Sequence, residues 1–181
     1  MIDGKQYVVD ALDSFRCCKD LDIESFLRKK ALQFLDRNWC SIYLILEEEA
    51  FDAGRLAIAA YFTLSHKSLL PVNVSKKKIR DTNGFADAQA IHFILIGQLG
   101  KYISEENGAI VKHPISSKRI LDFAMEVVQE SNRLIPCRCV LVECSEEETV
   151  QKAYTDYGFS FFQKDEEHYQ FYKKVSQRTK F

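Results

Sequence analysis

No stretch of this chain approaches the ~18 uncharged apolar residues that a membrane-crossing helix requires, so a membrane span is excluded. The N-terminus carries Asp3, Lys5 and Asp10 where a secretory leader needs an apolar run, and no leader is expected. An excess of one charge is also lacking. With 25 basic against 26 acidic residues the formal net charge is −1, which gives no global pull toward nucleic acid or anionic lipid. A polyanion partner would need a local patch. The six cysteines (Cys17, Cys18, Cys40, Cys137, Cys139 and Cys144) fit no zinc-ligand spacing, and adjacent Cys17 and Cys18 do not readily bridge each other. They read as small apolar side chains in a reducing, cytoplasmic setting, with no metal site. Repeats and low-complexity tracts are absent as well.

Core material is plentiful: 46% of the residues are apolar and thirteen are Phe. A chain of 181 residues suffices for one full core and is short for two. One domain over residues 1–181, with its core at about 20–174, is the expectation.

Hydrophobic periodicity then places the elements. Ile23, Phe26, Leu27, Ala31, Phe34 and Leu35 recur at helical spacing and predict a helix over 20–36, capped by Asp20 or Asp22. Strand patterns follow at 41–47 and 55–65, joined by a short acidic turn as an antiparallel hairpin. A polar, basic connection over 67–89 reads as a functional loop or short helix, and within it Lys76, Lys77, Lys78 and Arg80 form one basic patch. The run 90–99 (AIHFILIGQL) is almost wholly apolar, as a strand buried on both faces at the centre of a sheet would be, with His92 as a hydrogen-bonded core residue. Residues 101–114 read as loop, with 104–108 as an extra segment. A second amphipathic helix starts near Ser116 and closes by Pro136. A strand over 137–144 comes next, and Ser145 with Glu148 forms a capping box for a helix reaching Tyr157, which Gly158 ends. Two strands, 159–164 and 168–175, complete an α+β pattern with a right-handed crossover between the two apolar strands.

Three local segments in that order resemble the GCN5-related N-acetyltransferases, over roughly residues 20–174. Ala153-Tyr154 with Gly158-Phe159 is similar to the family's Tyr-x-x-x-Gly-Phe signature after a strand and a helix. Gln98-Leu99-Gly100-Lys101, ending the central strand, is similar to the segment that binds the pantetheine arm. Lys112-His113-Pro114-Ile115-Ser116-Ser117 occupies the place of the pyrophosphate loop. The resemblance implies an α/β (α+β) fold with a mixed central sheet of about six or seven strands flanked by helices, acetyl-CoA as co-substrate, and an amine acceptor. It further implies cofactor contacts from Leu99, Gly100, Lys101, Lys112, His113, Ile115, Ser116, Ser117 and Lys118, and Tyr154 as the acid that protonates the departing thiolate. The loop departs from the family's glycines at Ile115, whose β-branch disfavours positive φ, so an altered path is expected. Glu147 stands where the family often has Asn.

A base is harder to assign: Glu47, Glu48 and Glu49 end a strand, Glu143 sits in an apolar one, and many members of the family use water. Tyr61 to Leu70, with the basic connection and Ile96 to Leu99, resembles a bacterial and phage-type branch that includes toxins acetylating aminoacyl-tRNA. Small amines and protein amines are equally open as acceptors, and nucleic acid enters only as tRNA. An exposed edge at the C-terminal hairpin is compatible with a homodimer. The rival from another class is a degenerate member of the fold that acts as an interaction module.

Overall fold

The computed structural model describes residues 4–175, and these divide into two compact units. The first holds the chain up to Thr63 together with Gln98–Ile120; the second holds Leu64–Gly97 and the chain from Leu121 onward.

The first unit opens with a helix that the periodicity reading passes over, α1 (Gly4–Ser14). Ala11 and Leu12 are buried on it, and Phe15 just beyond is wholly buried. The helix expected over 20–36 is present but interrupted. Asp20 caps it, accepting from the N–H groups of Asp22 and Ile23 at 3.1 Å each. It runs as α2 (Leu21–Ser25), one π-helical turn over Phe26–Lys30, and α3 (Ala31–Asp36). The Ala31 N–H bonds back to the Phe26 carbonyl, five residues earlier. The inserted residue lets Phe26, Leu27 and Ala31 all be buried, and leaves Leu35 on the exposed side. Strand β1 (Ser41–Leu46) follows, and the acidic turn after it is a short helix, α4 (Glu48–Asp52). Phe15, Leu27, Ile58 and Tyr61 form the heart of this unit's core, with the Phe15 ring edge-on to Tyr61 at 5.4 Å.

Strand β2 (Ile58–Leu69) and strand β3 (Ile91–Lys101) each run through both units. In the second unit the basic connection is mostly a helix, α5 (Lys76–Asn83), capped by Ser75 and ended by Gly84 at φ +100°. Further on come strand β6 (Cys139–Cys144), helix α7 (Glu148–Asp156), and the antiparallel pair β7 (Ser160–Lys164) and β8 (Tyr169–Lys174). As the crossover reading requires, β3 and β6 are parallel, with Leu95 opposite Leu141. Phe93, Leu141, Phe162 and Tyr172 pack together with Ile79 of α5.

The six-stranded sheet has the order β1-β2-β3-β6-β8-β7 and is mixed, as expected. Two sequence expectations fail here. Strand β3 is not buried along its whole length: His92 is exposed, its Nδ1 2.7 Å from the Ser68 hydroxyl, so it is hydrogen-bonded but not core. Residues 101–114 are not a loop but a two-stranded hairpin, β4 (Ile103–Glu106) and β5 (Ala109–Lys112), turning at Asn107 and Gly108 with φ +51° and +78°. Two successive positive φ values form the tight turn that suits the twist of paired strands. No helix among the described residues is long and apolar enough to cross a membrane.

Candidate functional site

In the first unit the fold gathers the segments read as cofactor-binding. Strand β3 ends on Leu99, Gly100 and Lys101, and Gly100 is there because nothing larger fits. A Cβ at that position would stand 2.5 Å from Ile23 Cγ2 and 2.6 Å from Tyr61 Cε1. Tyr61 cannot swing aside, because its hydroxyl is tied to the Ile23 carbonyl at 2.7 Å. After the β4/β5 hairpin the chain returns to the same place: the His113 N–H donates to the Tyr102 carbonyl at 3.1 Å, and the Lys101 ammonium donates to the Ile115 carbonyl at 3.2 Å. Leu99–Lys101 and Lys112–Lys118 are thereby neighbours.

The loop from Lys112 to Ser117 takes an unusual path. No described residue between Ala109 and Lys118 has a positive φ, so Ile115 sits in unstrained backbone, and the loop does without the left-handed geometry that glycines would supply. Its local organiser is His113. The Ile115 N–H donates to His113 Nδ1 at 3.1 Å, which places the ring hydrogen on Nε2, 3.6 Å from Glu47 Oε1. One amide that could face an anion is therefore occupied. Ser116 then caps the long helix α6 (Ser117–Leu134), its hydroxyl accepting from the Arg119 N–H at 3.1 Å. Ser117 and Lys118 lie exposed in the first turn, at the positive end of the helix dipole.

Sequence reading missed Lys19. Cys17 bridges to Ile103, whose cross-strand partner is Lys112, so the two-residue step to Lys19 brings a second lysine beside Lys112. Repulsion from Lys19, then from Lys101, holds the Lys112 ammonium below its ordinary pKa. Three cations therefore stand close together. A bridge between residues 86 apart has no local sequence signal, which is why Lys19 was not found.

The second unit holds Tyr154, on the last turn of α7. The expected Ser145/Glu148 capping box does not form; Glu147 is the N-cap, its carboxylate making no capping bond to a backbone N–H and accepting from the Thr149 hydroxyl in the first turn instead. At the other end Gly158, at φ +96°, closes the helix, with the Gly158 N–H bonding to the Thr155 carbonyl at 2.9 Å and the Phe159 N–H bonding to the Tyr154 carbonyl at 3.0 Å. This pair of bonds is a Schellman motif, and the apolar contact that usually accompanies it is the Tyr154 ring set edge-on to Phe159 at 5.8 Å. Tyr-x-x-x-Gly-Phe is thus first a helix stop that clamps the tyrosine at both its carbonyl and its ring. Among the described residues the Tyr154 hydroxyl has no hydrogen-bond partner. Burial, and secondarily Cys144, push its pKa up to about 12.

Of the carboxylates considered as bases, Glu48 and Glu49 open α4 in the exposed first turn and Glu47 faces His113. Glu143 is paired: Lys67 donates to it at 2.9 Å and Gln170 at 2.7 Å.

Neither a family model nor a curated protein sequence matches the chain. Solved structures do. AtaT complexed with acetyl-methionyl-tRNAfMet superposes with a TM-score of 0.68 at 16% identity, covering 90% of this chain and 86% of that one. The fold is that of the GCN5-related N-acetyltransferases. A tyrosine-to-phenylalanine mutant of KacT gives the same TM-score at 16% identity, with 91% and 87% covered. AtaTR bound with AcCoA gives 0.64 at 15%, with 91% and 85% covered. The resemblance read from three short segments is thus carried by the course of nine-tenths of the chain.

Proposed function

We propose that this protein is an acetyl-CoA-dependent N-acetyltransferase that moves an acetyl group directly onto a primary amine. One observation carries the reading: Tyr154 is clamped by its Schellman motif, half-buried, with its hydroxyl left without a hydrogen bond among the described residues. A half-buried phenol fixed in place with no hydrogen bond of its own is free to donate to a passing partner. The bound co-substrate would supply an acetyl thioester. Tyr154 would stay protonated until sulfur charge develops and then donate its hydrogen, the amine nitrogen losing its own proton to solvent. Likeness to AtaT and KacT, structures that include an acetyl-CoA complex and a tyrosine-to-phenylalanine mutant, supports this reading.

The residues present suit an anionic co-substrate. Lys19, Lys101 and Lys112 supply clustered positive charge, and Ser116, Ser117 and Lys118 surround the start of α6, where amides and the helix dipole favour phosphate. Leu99 and Gly100 would hold the pantetheine arm along the end of β3, and His113 and Ile115 would set the loop's shape. The amine acceptor is a small amine, a protein amine or an aminoacyl-tRNA. For the last, exposed Lys76 and Lys77 of α5 would meet the phosphates, and replacing both with Glu should weaken transfer to tRNA while leaving small-amine transfer intact. Strand β7 lies at an edge of the sheet, where a second copy could pair.

A second reading has its own observation. His113 occupies the Ile115 amide, and no glycine opens the loop, which favours a degenerate member of the fold acting as an interaction module. A thermal melt with acetyl-CoA separates the two. Micromolar affinity at millimolar ligand should raise Tm by roughly 5–15 °C, and an unmoved melt would overturn the enzyme reading.

A further inference from the structure

The second unit contains a polar cluster that the proposed chemistry leaves unused. Glu143, on β6, lies directly across from Gln170 on β8. One Glu143 oxygen accepts from the Gln170 amide at 2.7 Å and the other from the Lys67 ammonium at 2.9 Å. The same Gln170 Nε2 donates to Asp165 Oδ2 at 2.9 Å, while Asp165 Oδ1 accepts from the backbone N–H groups of Glu167 and His168. Two carboxylates thus share one neutral amide, with Lys67 as the cation bonded to the cluster.

Two features exceed what a structural ion pair requires. Gln170 is 1% exposed, yet its Oε1 has no partner among the described residues; reversing the amide would set that oxygen against two carboxylates, so the missing partner is a donor. The Lys67 side chain, 35% exposed, enters from the solvent side and seats a straight-chain primary ammonium on a carboxylate that is itself only 14% exposed. The chain's own lysine shows the kind of group the cluster accepts.

We propose that Glu143, Gln170 and Asp165 form a primary-ammonium subsite, with Lys67 as a displaceable occupant. An incoming ammonium takes the Glu143 oxygen that Lys67 vacates, and its other hydrogens serve Asp165 and the unpartnered Gln170 oxygen. This cation site stands apart from the transferase reading and depends on none of the residues assigned to it.

The test is a calorimetric titration of the full chain with n-butylammonium chloride, and with tetramethylammonium chloride as a cation that cannot donate, in the absence of acetyl-CoA. Lys67→Met empties the carboxylate of its occupant and should bind n-butylammonium at least ~10-fold more tightly than the wild type, with no gain for tetramethylammonium. Adding Glu143→Gln, which keeps a partner for Gln170, should abolish the gain. Equal affinity in Lys67→Met and wild type overturns the proposal, as does a gain shared by both cations or one that survives Glu143→Gln. Should the double variant fail to fold, the single variant against wild type decides. Because no acetyl-CoA is present, failure here leaves the transferase reading untouched, and a negative acetyl-CoA melt leaves this result standing.

Discussion

Tyr154 is the residue on which most depends, and two kinds of evidence about it are separable. Its backbone and ring are spent on stopping α7, so Phe preserves both contacts while deleting the hydroxyl. Tyr154→Phe should therefore keep the melting temperature and the acetyl-CoA-induced shift, and lower kcat by about 10²–10³-fold, the range expected for losing a general acid. Steady-state kinetics beside a thermal melt checks this; unchanged turnover removes Tyr154 as the acid. Gly100 makes a stability prediction of its own. Gly100→Ala drives a methyl into Ile23 and a tyrosine held by its hydroxyl, so it should cost about 1–3 kcal/mol in urea unfolding. These two residues were legible in the sequence because their signals are local, a tyrosine four residues before a glycine and a glycine ending an apolar strand. Lys19 was not, since only the bridge from Cys17 to Ile103 makes it a neighbour of Lys112.

At the scale of elements the same division holds. Long periodic segments, α6 and the apolar strands β3 and β6, were readable because burial dictates their pattern. The failures came where two local signals compete. Ser145 and Glu148 have capping-box spacing, yet the helix begins with Glu147 as its cap, so the sequence match lay two residues early. Asn107-Gly108 is a strong hairpin signal, but the strands it joins are only four residues long and β5 is exposed throughout, so neither carries a clear alternation. Gly108 at φ +78° tests the assignment. Gly108→Val places a β-branched residue in a region it avoids, which should raise amide exchange across Ser104–Val111 by tenfold or more while leaving exchange in α6 unchanged. Uniform exchange in both segments would contradict the hairpin.

For the molecule as a whole, the groups most perturbed by burial are acids that are neutral when protonated, and this sets an alkaline limit on stability. Burial holds the Cys144 thiol up at about 11 and the Cys139 thiol at about 12, both well above the usual thiol value. Burial, then a hydrogen bond to Asp81, holds the Tyr172 phenol up at about 12, and Tyr61 and Tyr157 are also raised, chiefly by burial. A group whose folded pKa lies above its unfolded one keeps its proton in the native state after the unfolded chain has released it. The unfolded state then binds fewer protons, and stability falls as pH rises. The contribution is full below about pH 8.5, where unfolded thiols begin to ionise, and is lost progressively through the folded values. Urea unfolding should accordingly give a flat midpoint from about pH 7 to 8, a decline from about pH 9, and a steeper one above about 10 as the phenols join. Cys139→Ala with Cys144→Ala should start from a lower midpoint, because two buried side chains have been shortened, yet lose less than the wild type between about pH 8 and 9.5, the remaining decline coming from Cys17 and Cys40, whose thiols burial also raises. That difference in slope is the discriminating reading, since a cavity lowers stability equally at every pH and a buried thiol does not.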